Sequence, residues 1–321
     1  MPSVNQKPGV LGGLRDRRAR CPSTPTIELH RHFEAGLRPE TIARLAGRHH
    51  VTEVRARSGL LVRGVDPQDP DSIRRYYQNV AEEFREANGF ARFVDSFGLP
   101  LSVLRSLDDL EEAVFEQLID CACFGSIHTE LRGSPFTYAD QVRAPIEEIA
   151  ASLVRGVERA WTERRVSGTF LLAFSRQKGL AGVEAPASAR QAAIVAGLAA
   201  SLHSPRRPVG LDIAGFPETE YPPRLFDQAL HPAREAGVPL TVHAGEQGTA
   251  PGFDEAPPEL VVEAVERLGA RRIGHGTSLA ASRAARALML ERRVGIECCP
   301  LSNERMGFVR VGQHPLPLFL E

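Results

Sequence analysis

The sequence predicts an α/β fold, with helices packed on one parallel sheet in a single domain. Three observations predict it. Short apolar or β-branched runs recur, each followed by polar or Gly-rich residues, as where a buried parallel strand ends in a loop. Between them lie segments with apolar residues three and four apart, the spacing of an amphipathic helix. No Ser/Gly linker divides the 321 residues.

The candidate strands are Thr26–His32, Ser126–Leu131, Thr169–Phe174, Val209–Ala214, Leu240–His243, Arg272–His275 and Gly295–Cys298. Leu107–Cys123 shows the helical spacing, with Leu107, Leu110, Val114, Leu118 and Cys121 on one face. Glu147–Thr162, Ser188–Ser201, Pro223–Ala236, Glu259–Leu268 and Ser282–Arg292 read the same way. The rhythm breaks once. Residues 33–125 separate the first two strands and look helical at Pro39–Ala46, Asp71–Ala87 and Phe90–Phe97, as a helical insertion over one end of a barrel would. Residues 1–24, with Arg15, Arg17, Arg18 and Arg20, read as a disordered leader, and residues 25–321 as the single domain.

Composition excludes several classes. Lys plus Arg is 39 and Asp plus Glu is 40, so bulk charge gives no hold on nucleic acid or a membrane surface. Hydrophobic residues at 42% are enough for a real core. No apolar run nears the roughly 18 residues of a membrane span. The five cysteines are odd in number and include two close pairs, unlike a secreted disulfide framework. Met1–Arg20 has no apolar signal-peptide core. A cytoplasmic protein with reduced thiols is the expectation.

Chemistry concentrates at predicted strand ends. His30 and His32 flank Arg31 at the end of the first strand, and i, i+2 residues of a strand share a face. Two imidazoles so placed could hold one metal or could be ordinary polar residues. His243-Ala-Gly-Glu246 follows the fifth strand, and Glu246 reads either as a mouth carboxylate or as a helix N-terminal acid. His275 sits in Ile273-Gly-His-Gly276, where flanking glycines permit close backbone approach. Four histidines and a glutamate at the ends of strands one, five and six would converge on one mouth of a barrel, where such folds act. The cytidine-deaminase type is excluded: His128-Thr-Glu130 matches H-x-E, but no P-C-x-x-C follows. G-x-S-x-G, the P-loop and G-x-G-x-x-G are all absent.

Six motifs, in order, carry a resemblance. They are Glu28-Leu-His-Arg-His-Phe-Glu-Ala-Gly-Leu-Arg-Pro-Glu-Thr-Ile42, Thr129-Glu-Leu-Arg-Gly-Ser-Pro135, Gly210-Leu-Asp-Ile-Ala-Gly215, His243-Ala-Gly-Glu246, Arg272-Ile-Gly-His-Gly276 and Glu297-Cys-Cys-Pro-Leu-Ser-Asn303. From about Pro25 to Pro315 the chain resembles the adenosine deaminase family of metal-dependent (β/α)8 hydrolases. The resemblance implies a TIM-type barrel and zinc-dependent hydrolytic deamination of an adenosine-like purine nucleoside to its 6-oxo product and ammonia. By the same resemblance His30, His32 and His243 bind one Zn²⁺ per chain, with the metal lowering the pKa of a water. Glu246 then donates a proton to N1 of the purine, and His275 orients and deprotonates the water. The Gly215 backbone contacts N3, and Glu34 faces the ribose. The partner implied is a small-molecule purine, without nucleic acid or membrane. Glu130 and Arg132 read as a buried structural pair, and Asp212 as structural.

Two departures from the family pattern set further expectations. Adenosine-specific members carry Asp where Glu34 stands, whereas adenine and aminodeoxyfutalosine deaminases often carry Glu. Those two substrates are therefore the alternatives. The family also has an eighth strand ending in Thr-Asp-Asp-Pro, whose first Asp ligates the metal. The sequence ends at Glu321, and Asp108-Asp109 is followed by Leu110 in a helical stretch. The expectation is a C-terminally truncated barrel lacking the eighth strand and last helix, with unpaired edges at strands one and seven. It would be short of its carboxylate ligand, and a catalytically impaired purine-binding relative is the rival reading.

Overall fold

Seven strands and their intervening helices set the frame of the computed structural model, which describes residues 24–83, 89–176, 185–216, 218–246 and 256–321. The expected leader, up to residue 23, lies outside the described residues. The strands are β1 (Thr26–His32), β2 (Ser126–Gly133), β3 (Gly168–Ser175), β4 (Val209–Ala214), β5 (Leu240–Ala244), β6 (Arg272–His275) and β7 (Gly295–Glu297). All neighbours pair in parallel, in the order β1-β2-β3-β4-β5-β6-β7.

Contacts across the sheet show how far it curls. Arg132 on β2 reaches Glu297 on β7 at 2.8 Å. Glu130 on β2 pairs with Arg272 on β6. His30 on β1 meets Glu297 on β7 at 2.7 Å. A flat sheet would hold β2 and β7 far apart, since strands lie about 4.8 Å apart. The architecture is a TIM-type (β/α) barrel of seven strands, nearly closed, with β1 and β7 as its edges among the described residues. Side chains rather than a backbone ladder bridge that seam.

The central strands are apolar on both faces because helices cover the outside and side chains fill the inside. Leu172, Phe174, Val209, Ile213, Val242 and Ile273 have no exposed surface. Between β1 and β2 lie the helices Pro39–Arg48, Pro70–Glu83, Gly89–Ser96, Gly98–Val103 and Leu107–Cys123, as the long helical stretch predicted. The end of the expected helix Asp71–Ala87 falls outside the described residues. Phe33 anchors this region, stacking edge-on against Tyr138 and Phe170 with centroids 5.7 and 5.9 Å away.

Two expectations need correction. Pro223–Ala236 is not one helix: it divides into a 3₁₀ turn at Pro223–Phe226 and a short helix at His231–Glu235. Pro232 explains the break, since it lacks the N–H an uninterrupted helix needs and is tolerated only in a first turn. Glu130 and Arg132 do not pair with each other. Two residues apart on β2, they share a face but sit in successive layers, and each meets its partner across the barrel.

Leu107–Cys123 is fixed at its start by Ser106, whose hydroxyl accepts the Asp109 amide at 3.1 Å. The fully buried Asp109 carboxylate accepts from Arg48 and His49, both at 2.7 Å, tying this helix to Pro39–Arg48. Burial alone would raise this carboxyl, but Ser106, the Arg105 amide, Arg48 and His49 hold it below the usual range. Its stabilisation is therefore present above the unfolded value of about 3.9 and is lost as pH falls through the lower folded value. Asp109→Asn is expected to cost about 2 kcal/mol at pH 7. Thermal unfolding should show the gap from wild type narrowing as acidity increases.

Candidate metal and catalytic site

The C-terminal ends of β1, β5 and β6 bring four imidazoles together. His30 lies with ring centroids 5.5 Å from His32, 4.6 Å from His243 and 4.7 Å from His275. Ligand atoms of His30, His243 and His275 all fall within 4.8 Å of one another. His32 Nε2 stands 3.2 Å from His243 Nε2. Gly274 makes room for this packing, because a Cβ there would overlap the His30 ring. His275 itself takes φ of 67°, a left-handed conformation uncommon outside glycine and one that marks constrained sites.

Two carboxylates beneath the rings set their tautomers. Glu297 is saturated: Oε1 accepts from Thr241 and Arg272 Nε at 3.1 and 2.7 Å, and Oε2 from Arg132 and His30 Nδ1 at 2.8 and 2.7 Å. Asp212 accepts from His243 Nδ1 at 3.0 Å and from Arg132 Nη1 at 3.2 Å. Burial alone would raise the Asp212 carboxyl, but His243 and Arg132 hold it well below the carboxylate range. Both imidazoles thus donate through Nδ1 and turn Nε2 away from these carboxylates, toward the neighbouring rings. His30 Nε2 is buried with no hydrogen-bond partner. Burial, with His243 and Arg132 nearby, brings His32 down to about 3. Burial also lowers His30, with Arg132 and the other rings adding to it. Converging imidazoles, with His30 and His243 held from behind by carboxylates, fit a cation such as Zn²⁺.

Glu246 follows β5 in a turn, buried, with Oε1 3.3 Å from His275 Nε2. Burial, reinforced by the Glu218 charge, pushes its carboxyl well above the usual value, so it holds a proton more readily than an ordinary carboxyl. Asn303, fully buried, lies 3.1 Å from His275 Nδ1 through its amide nitrogen. Gly215 stands just beyond β4 with φ of 95°, open to glycine alone without strain. Glu34 is buried in the turn after β1 and accepts from the Tyr138 hydroxyl at 2.5 Å. Tyr138 occupies a notch that Gly133 leaves, since a Cβ at 133 would strike its hydroxyl. His128 sits elsewhere, near the start of β2 against Ser167 at 2.7 Å. Burial pushes the Cys299 thiol up to about 12, with Glu246 adding to it.

The partners of this site escaped sequence reasoning. Glu297 and Asn303 lie in a quoted motif without an assigned role, and Tyr138, Arg176 and Glu218 were not singled out. Arg176 and Glu218 do carry one signal: each is a charged residue just after an apolar strand.

Comparison with known proteins bears on this geometry. The adenosine deaminase family model matches residues 25–321. The chain belongs to the adenosine deaminase family. An Escherichia coli adenosine deaminase is 30% identical over 298 residues, covering 92% of this chain and 79% of that protein. A Shewanella loihica adenosine deaminase is 29% identical over 301 residues, covering 93% and 80%. The crystal structure of adenine deaminase from Arthrobacter aurescens superposes with a TM-score of 0.70 at 25% identity, covering 93% of this chain and 79% of that one. An amidohydrolase from Burkholderia ambifaria with bound Zn superposes at 0.68 and 20% identity, covering 100% and 78%. Family membership makes the chain a purine deaminase-type hydrolase.

Arg132 joins both carboxylates beneath the metal-capable rings, so removing it leaves the buried Asp212 without its guanidinium partner and Glu297 with Arg272 alone. Arg132→Met is expected to destabilise the fold by about 3–5 kcal/mol. Urea unfolding at neutral pH measures it.

Proposed function

We propose that this chain is a zinc-dependent hydrolase that removes the 6-amino group of an adenosine-like purine nucleoside. The observation that carries the reading is the convergence of four imidazoles, with His30 Nε2 buried and unpartnered, beside a buried glutamate whose carboxyl is pushed up. His30, His32 and His243 would hold the metal, with Glu297 and Asp212 orienting the first and third of them. Bound zinc supplies Lewis acidity that makes water a nucleophile near neutrality.

The chain's residues supply the rest. Glu246, whose carboxyl burial pushes well above the usual value, donates to N1 of the purine, so that the ring becomes electrophilic at C6. His275 Nε2, close to Glu246, orients the attacking water and takes its proton. The backbone at Gly215 meets the other edge of the base. Deep burial of Glu246, His243 and His275 keeps bulk water from competing for these contacts. No helix among the described residues is long and apolar enough to cross a membrane, and the partner proposed is a small-molecule purine in the cytoplasm.

Glu34 favours a second reading, adenine itself. Its Oε1 is engaged by Tyr138, which leaves less of the carboxylate for a ribose hydroxyl. A structural neighbour of the same fold is an adenine deaminase. Ammonia release from zinc-loaded protein, with adenosine and adenine in parallel, separates the two. Faster turnover of adenosine supports the first reading, and turnover of adenine alone the second.

Two variants test the site. Glu246→Gln is expected to lower kcat at least about 100-fold while zinc content stays the same. Unchanged turnover would refute the proton-donor role. Asp212→Asn replaces the charged acceptor that fixes the His243 tautomer with a neutral amide, and zinc affinity should fall about 10- to 100-fold. Competition against a chromogenic chelator reads this directly.

A further inference from the structure

The turn that carries Glu246 is held from two sides. On one side, the Thr277 hydroxyl donates to the carbonyls of Gly245 and Glu246 at 2.7 and 3.0 Å. On the other, a single carboxylate takes both amides: the Gly245 N–H donates to Glu218 Oε2 at 2.7 Å and the Glu246 N–H to Glu218 Oε1 at 3.0 Å. Glu218 has almost no exposed surface. Its counter-ion is Arg176, fully buried just past β3, with Nη1 3.7 Å from Glu218 Oε2. Arg176 in turn donates through Nη2 to the carbonyl of His243. One buried ion pair therefore touches the backbone of both the imidazole and the glutamate that follow β5.

A carboxylate bridging two successive amides fixes the direction of the peptide between them. Gly245 has φ of 66°, so this peptide stands in a turn that an L-residue would strain, and its Cβ position is already filled by the Ser278 hydroxyl. Small rotations of such a turn would swing the Glu246 side chain. Reactions that need a proton placed on one ring atom are sensitive to displacements of that size.

We infer that Glu218 is a positioning residue, which aims Glu246 at the purine by holding the Gly245 and Glu246 amides with its two oxygens, backed by Arg176. The inference rests on the reading of Glu246 as proton donor. Glu218 does not touch the substrate in this account. Its removal should alter the rate without altering what binds.

Glu218→Gln is the test, because the amide keeps the shape but loses one acceptor and the charge. Zinc-loaded protein should lose kcat about 10- to 100-fold. KM, bound zinc per chain and affinity for the 6-oxo product should stay within about twofold, a change too small for a lost contact. In the Glu218→Gln, Glu246→Gln double variant, turnover should equal that of Glu246→Gln alone, since Glu218 acts through Glu246. An unchanged kcat in Glu218→Gln overturns the inference. So does a parallel loss of zinc and KM, or a double variant slower than Glu246→Gln by the full single-variant factor. Full turnover in Glu246→Gln instead removes the underlying reading. Should Glu218→Gln not fold, Glu218→Asp keeps the charge against Arg176 and carries the same comparison, with a kcat between those of wild type and Glu246→Gln.

Discussion

Arg132 lies in the barrel interior with no exposed surface, and so do both carboxylates it joins. An isolated guanidinium there would be very costly, and so would Asp212 or Glu297 alone. Together they form one paired unit across β2, β4 and β7, extended to β1 by the bond from Arg132 to the Leu29 carbonyl. Apolar residues of equal volume would serve stability about as well. The ionic version does something they cannot, because its outer oxygens turn toward His30 and His243 and decide where each ring carries its hydrogen. The arrangement of lone pairs at the mouth follows from this buried unit.

A second group of charged and polar residues follows strand order. Arg176 comes after β3, Glu218 after β4, Glu246 after β5, and His275 ends β6. Parallel neighbours place successive strand ends side by side, so the four groups form an arc round the mouth. Opposite charge lets Arg176 and Glu218 balance each other, while Glu218 at the same time raises its neighbour Glu246. Local electrostatics thus separate two glutamates into different tasks. One accepts two backbone amides beside Arg176, and the other is a buried acid whose carboxyl is pushed up.

Much of this was legible in the sequence because it is local. Strands β1, β4 and β6 fall where apolar runs ended in chemistry-bearing residues, and the helical stretch between β1 and β2 is where periodicity placed it. His30, His32, His243 and His275 could be grouped because parallel strand ends share an edge. What escaped was set by distant register. Glu130 meets Arg272 and Arg132 meets Asp212 and Glu297, choices that depend on which layers face each other across the barrel. The role of Tyr138 depends on a missing Cβ at Gly133 on another element. The break at Pro232 was visible in the sequence, and the apolar spacing around it concealed it.

In the proposed function the buried base of Arg132, Asp212 and Glu297 aims the imidazoles of His30 and His243 at one cation. Anomalous diffraction at the zinc absorption edge, on crystals grown with zinc, checks this. One peak per chain is expected, at about 2.0–2.1 Å from the Nε2 atoms of His30, His32 and His243. A zinc bound through Nδ1 of His30 or His243, or no peak among these rings at saturating zinc, would contradict it.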